Sequence, residues 1–303
     1  LSSYILTWVL LCLPLVYLMR SAMVAMLYLI GITYYGSEVG YWTNQSGESY
    51  TYWLLLVLIL PYYYYLYQKK PRSNFTLFLH WLIPLSIMIN LGTLSYKHSE
   101  LMFIAYFSLL GLFYNFGNTL FLPKQQKLNN SYTLIGSLGT ISMLLALSFD
   151  WFWKELSNFK FSFSSLISSP EFIASIILSI LAAVLWYLSA IKNKSFRLDK
   201  NPISIIFALF IGLFIIGLSS MPLALIATNL LIFILGLLSI RNGIQQQHLG
   251  LLNYGLLTIS ALIACRFFDT NLTFTARGIL FISIGLGFFG ANYWLLKNKT
   301  THE

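Results

Sequence analysis

Residues 203–240 read ISIIFALFIGLFIIGLSSMPLALIATNLLIFILGLLSI, 38 positions without one charged side chain. A helix rises about 1.5 Å per residue and must cross about 30 Å of hydrocarbon, so a span takes roughly 20 residues and this stretch holds two. The Ser-Ser-Met-Pro break at 219–222 divides it into spans 203–219 and 223–240. Outward from there, runs of the same kind recur at 3–19, 21–36, 51–67, 75–95, 101–121, 132–149, 172–191, 249–267 and 276–296. These runs are apolar on every face, whereas barrel strands would alternate over about 10 residues. Only a helix satisfies its own backbone in lipid, so the expected fold is all-α, a polytopic transmembrane helical bundle of about eleven spans.

Composition leads to the same class. The chain is 58% hydrophobic and 9% charged, with a mean hydropathy of +0.74, while a soluble domain is about a quarter charged. A water-soluble domain of 303 residues could not hide that much apolar surface. The expected organisation is a single integral membrane helical domain over 1–303. The run from Tyr4 to Met19 has neither the basic start nor the small-residue cleavage site of a signal peptide, and a further segment is expected upstream of Leu1.

The net charge of +9 raises the question of nucleic acid. The cations answer it by position, because they fall in short clusters between apolar runs instead of along one basic face. One set of connectors holds Arg20, Lys69, Lys70, Arg72, Lys124, Lys127, Lys192, Lys194, Arg197, Lys200, Arg241, Lys297 and Lys299, which is 13 of the 18 Lys and Arg residues. The alternate connectors hold seven of the nine acids, Glu38, Glu48, Glu100, Asp150, Glu155, Glu171 and Asp269. The positive-inside rule then puts the carboxyl end in the cytoplasm and the amino end outside. Partners are the lipid bilayer and a membrane protein, not nucleic acid.

Aromatic residues mark the expected interfaces. Tyr62 to Tyr65 precede a basic connector and read as an aromatic belt, with rings in hydrocarbon and hydroxyls at the head groups. The outer loop 150–171 carries Trp151, Phe152, Trp153, Phe159, Phe161 and Phe163 among polar residues and reads as an interfacial anchor. Cys12 and Cys265 lie inside apolar runs, where thiols act as small hydrophobes.

Polar groups inside lipid are expensive, so they are the candidates for function. The densest charged cluster is in CRFFDTNLTFTARG, residues 265–278. There Asp269 lies between Arg266 and Arg277 across the turn of an antiparallel pair. Two readings stand: Asp269 clamps the hairpin by bridging both guanidinium groups, or the Arg forks hold a phosphate or carboxylate. A second set is amides: Asn115, Asn118, Asn229, Asn253 and Asn292, the last two at similar depth on antiparallel helices. Such amides serve as interhelical hydrogen-bonding groups or as steps in a polar path. His80 lies inside a span with no acid to partner it. Gly136, Gly139, Gly285, Gly287 and Gly290 permit close helix contact. No paired carboxylates, metal-ligand spacing, phosphate loop or cofactor motif appears in the sequence.

The runs NLLIFILGLLSIRNGI (229–244), LGLLNYGLLTISALIACRFFD (249–269) and RGILFISIGLGFFGANYWLLK (277–297), with PLVYLMRSAMVAMLYLIGITYYG (14–36), carry a family resemblance. Together they resemble the bacterial membrane proteins of the domain of unknown function 2157 family. The matching positions are Arg20, Asn229, Arg241, Gly243, Asn253, Gly255, Arg266, Asp269, Arg277 and Asn292. Members of that family carry a cytoplasmic helical segment before the first span, which agrees with the segment expected upstream of Leu1. The resemblance implies a multi-pass bacterial inner-membrane protein and no reaction. Three functions fit these residues: binding or transport of a small or lipid-linked anionic solute, a structural or assembly subunit of a membrane complex, or a membrane-embedded polyprenyl-sugar transferase. The transferase has the least behind it, since loop 150–171 offers only Asp150, Glu155 and Glu171 with two lysines.

Overall fold

The computed structural model describes residues 2–42, 49–71, 73–95, 97–119, 130–158, 166–192, 201–269 and isolated helical positions between 275 and 290. Among these residues every regular element is helical. The helices are α1 (Ser2–Met19), α2 (Ala22–Ser37), α3 (Ser49–Lys69), α4 (Asn74–Leu91), α5 (Ser99–Thr119) and α6 (Ser131–Ala146). They continue with the short α7 (Trp151–Ser157), then α8 (Pro170–Lys192), α9 (Ile206–Ser219), α10 (Met221–Gln245) and α11 (Leu249–Asp269).

Seven of the described helices are long and apolar enough to cross a bilayer, or eight if the bent pair α6–α7 is one broken span. The seven are α2, α4, α5, α8, α9, α10 and α11, with their short flanking turns. The chain is thus an all-helical protein with several membrane-embedded helices. Of the four other runs in the sequence, α1 is a shorter apolar helix and α6 ends in a bend of 73°. The tyrosines of α3 lower its apolarity, and 276–296 lies outside the continuously described residues.

Residues 1–136 with 161–189 form one compact unit, and 137–160 with 190–303 form another. In the first unit, α1 and α2 are joined by two residues. Arg20 reverses the chain at φ 48°, a left-handed conformation that costs a non-glycine residue about 1–2 kcal/mol. Ser21 follows at once as the cap of α2, its hydroxyl accepting from the Val24 N–H at 3.5 Å. Hydroxyl groups then tie α2, α3 and α4 together. Ser86 Oγ lies 2.7 Å from Tyr52 OH and 2.7 Å from Thr33 Oγ1, and Tyr28 OH donates to the Leu55 carbonyl at 2.9 Å.

Helix α8 meets α5 along residues four apart. The Glu171 carboxylate accepts from the backbone N–H groups of Lys97 (2.7 Å) and His98 (3.1 Å), just ahead of α5. Ser175 Oγ donates to the Leu101 carbonyl at 2.9 Å, and Ser179 Oγ pairs with Ser108 Oγ at 2.8 Å. Most of the remaining surface of α8 is apolar and exposed, as a lipid-facing helix requires. Gly136 bears out the close contact read from the sequence, since a Cβ there would come 2.7 Å from the Tyr114 nitrogen of α5.

In the second unit α10 and α11 are a tightly packed hairpin. A Cβ at Gly255 would meet the Gly236 carbonyl oxygen and the Ile240 nitrogen at 2.7 Å, and one at Gly243 would meet the Leu252 nitrogen at 2.5 Å. A Cβ at Gly285, Gly287 or Gly290 would meet nothing within 4 Å among the described residues. The aromatic loop divides by side chain. Trp151 is exposed, as an interfacial anchor should be, but Phe152 and Trp153 are fully buried. Trp153 packs where Gly217 of α9 leaves room and donates its indole N–H to the Leu147 carbonyl at 2.7 Å. Phe159, Phe161 and Phe163 lie outside the described residues.

Candidate functional site

The α6–α7 bend is where polar groups converge in the second unit. Helix α6 stops at Ala146, and the turn Leu147–Asp150 leads into α7 with its backbone partly freed from helical bonding. Non-helical backbone at membrane depth survives only where protein or water satisfies it. A side chain from one later helix bonds this backbone, and a side chain from another bonds the Ser148 hydroxyl. Asn229 of α10 donates from Nδ2 to the Ser148 carbonyl at 3.3 Å and to the Leu225 carbonyl of its own helix at 2.8 Å. Arg266 of α11 donates from Nη2 to the Ser148 hydroxyl at 3.2 Å, and its guanidinium carbon lies 5.0 Å from the centre of the Phe149 ring.

The corner is electrically mixed. Asp150 and Lys154, one helical turn apart, form an exposed ion pair. The Lys154 ammonium, hydrogen-bonded to Asp150, holds that carboxyl below its ordinary range, and Arg266 adds a smaller pull of the same sign. Ser148 itself is fully buried, Arg266 and Asn229 are half-buried, and the Asn229 Oδ1 is buried without a hydrogen-bond partner among the described residues. An amide oxygen left this way costs on the order of 1–3 kcal/mol unless a ligand or water donates to it.

Of the residues singled out in the sequence, the fold therefore brings Arg266 and Asn229 to one turn. Asp269 ends α11 with its side chain outside the described set, and Arg277 and Asn292 also lie outside it. The remaining amides are elsewhere. Asn115 is fully buried in α5 of the first unit, Asn118 is exposed near the end of that helix, and Asn253 is exposed on α11. Ser148 had no distinguishing mark in the sequence. Its signal is only that it starts a break between an apolar run and a Trp-rich segment.

His80 has partners that the sequence hid. Its Nδ1 lies 2.6 Å from Tyr63 OH, which is 3.0 Å from Tyr132 OH, and Ser131 Oγ donates to the His80 carbonyl at 2.7 Å. The ring is enclosed by Tyr63, Tyr67 and Tyr132 at 5.4, 6.0 and 6.3 Å between centres. Tyr63 is buried by this contact and Tyr62 is buried elsewhere in the unit, so of the four-tyrosine run only Tyr64 and Tyr65 keep the exposure that a belt requires. Among the described residues no group of three His, Cys, Asp or Glu side chains is placed to hold a metal, and Cys12 and Cys265 are free thiols. No family model, curated protein or solved structure matches the chain.

Proposed function

We propose that the chain is a multi-pass protein of the bacterial inner membrane, with about eleven spans and a cytoplasmic carboxyl end, that binds or moves a small or lipid-linked anionic solute at the Arg266 corner. One observation carries the reading: a guanidinium and an amide from two helices meet at a 73° break in a third. Broken helices in lipid expose backbone and gather polar groups, and this is how many membrane binding sites are built. The Arg266 fork matches a phosphate or carboxylate, and the Asn229 Oδ1 is placed to accept from a ligand hydroxyl or bound water. The family resemblance of the segments 229–244 and 249–269 supports the location and assigns no reaction.

The test is binding of radiolabelled inorganic phosphate and of a short-chain polyprenyl phosphate to the purified full chain in nanodiscs. Arg266→Gln is expected to lower affinity for at least one probe by 10-fold or more while the protein still accumulates in the membrane. Loss of accumulation, with probe binding intact in whatever protein is recovered, would make Arg266 a clamp on Ser148 and end the ligand reading.

A further inference from the structure

The short α1–α2 connection carries a residue that its own conformation disfavours. One position must reverse the chain between Met19 and Ser21, and at φ 48° glycine is the usual occupant. Here a guanidinium stands at that position, with its carbon 5.8 Å from the centre of the Tyr65 ring of α3. Lys69 lies one helical turn beyond Tyr65, on the same face of α3. Arg20 and Lys69 are both exposed, so two cations flank one aromatic ring at the same end of the first unit.

An independent observation lies beneath them. Tyr62 packs between Tyr17 and Tyr65, with ring centres 6.1 and 6.3 Å away, and is 3% exposed. Its hydroxyl is buried and has no hydrogen-bond partner among the described residues. Tyr17 differs, because its hydroxyl already donates to the Leu58 carbonyl at 2.5 Å. A buried phenol without an acceptor is costly, and at head-group depth the acceptor that a bilayer supplies is an ester carbonyl. Cations above, aromatic walls and an unmet donor below match the layered chemistry of one phospholipid, from phosphate to glycerol ester to acyl chain.

We propose that the α1–α3 groove is a binding site for an anionic phospholipid. Arg20 and Lys69 hold its phosphate, the exposed rings of Tyr17 and Tyr65 lie along its glycerol and first acyl carbons, and Tyr62, enclosed in the lipid-free chain, donates to an ester carbonyl once those two rings part around the lipid. The site lies within the first unit and does not depend on the Arg266 reading.

The full chain, stripped of lipid in detergent, is titrated by native mass spectrometry with phosphatidylglycerol and with phosphatidylcholine of the same acyl chains. Wild type is expected to prefer phosphatidylglycerol by 10-fold or more. Arg20→Gly and Lys69→Gln are each expected to reduce that preference at least five-fold. Arg20→Gly should also leave the lipid-free Tm unchanged or higher, because glycine relieves the backbone. Arg241→Gln, a cation outside the groove, should change neither reading. Equal binding of the two lipids by wild type overturns the proposal, as does an intact preference in both groove variants. Displacement of phosphatidylglycerol by excess inorganic phosphate also overturns it, by making the site one for free phosphate. Should Arg20→Gly fold poorly, Lys69→Gln alone decides.

Discussion

Two seams, one in each unit, hold their helices together by different means. In the first, hydroxyls bridge neighbouring helices: Tyr52 and Thr33 share Ser86, Tyr63 joins His80 to Tyr132, and Ser108 meets Ser179. In the second, the α10–α11 hairpin relies on missing side chains, with Gly243 and Gly255 letting backbone approach backbone. Lipid tails are as apolar as leucine, so burial of apolar surface drives neither association, and polar bonds and close packing are what remain. A bonded seam tolerates loss of one member, because each bond is worth about 0.6–2 kcal/mol in a bilayer. A glycine seam does not, because one added side chain separates the helices along their length.

The contrast can be broken by substitution. Gly255→Leu should have the largest effect, about 3 kcal/mol or more of lost stability, since the new side chain meets backbone that cannot swing away. Unfolding in mixed micelles by denaturing-detergent titration would measure it, and a cost below about 1 kcal/mol would show that the hairpin is not glycine-packed. Tyr63→Phe should cost about 1–2 kcal/mol in the same assay, since it removes one hydroxyl from both His80 and Tyr132. If it equals Gly255→Leu, the distinction between the two seams fails. Tyr64→Phe sharpens the comparison at the small end. Its ring is exposed, and a change within about 0.5 kcal/mol is expected, which separates the belt tyrosines from the buried ones.

Tyr62–Tyr65 shows where sequence reading reached its limit. Four identical residues in a row carry one local signal, aromatic rings near a basic connector, and that signal holds for Tyr64 and Tyr65. A helix turns 100° per residue, so four consecutive side chains must face different surroundings, and only packing says which. Tyr63 thus found His80, 17 residues away, and Tyr62 came to rest between Tyr17 and Tyr65. The aromatic segment after α6 behaved the same way. Trp151 stayed exposed while its neighbours Phe152 and Trp153 turned into protein.

Arg266 and Asn229 were visible as polar groups in apolar runs, because the cost of a charge or amide in hydrocarbon depends on the residue itself. Their meeting at Ser148 was not visible, since Ser148 is 118 residues from Arg266 and 81 from Asn229. Membrane character, the all-helical class and the placement of the described apolar helices were legible from sequence alone, while among the described residues only seven of the eleven expected runs are single helices long and apolar enough to span. Partition into lipid sums over about 20 neighbouring residues, and backbone satisfaction in lipid then demands a helix. Which polar group meets which, where α6 breaks, and which glycines touch backbone are properties of pairs far apart in the chain. Only the tertiary structure decided them, because a hydrogen bond or a close approach depends on two surfaces and the sequence shows one at a time.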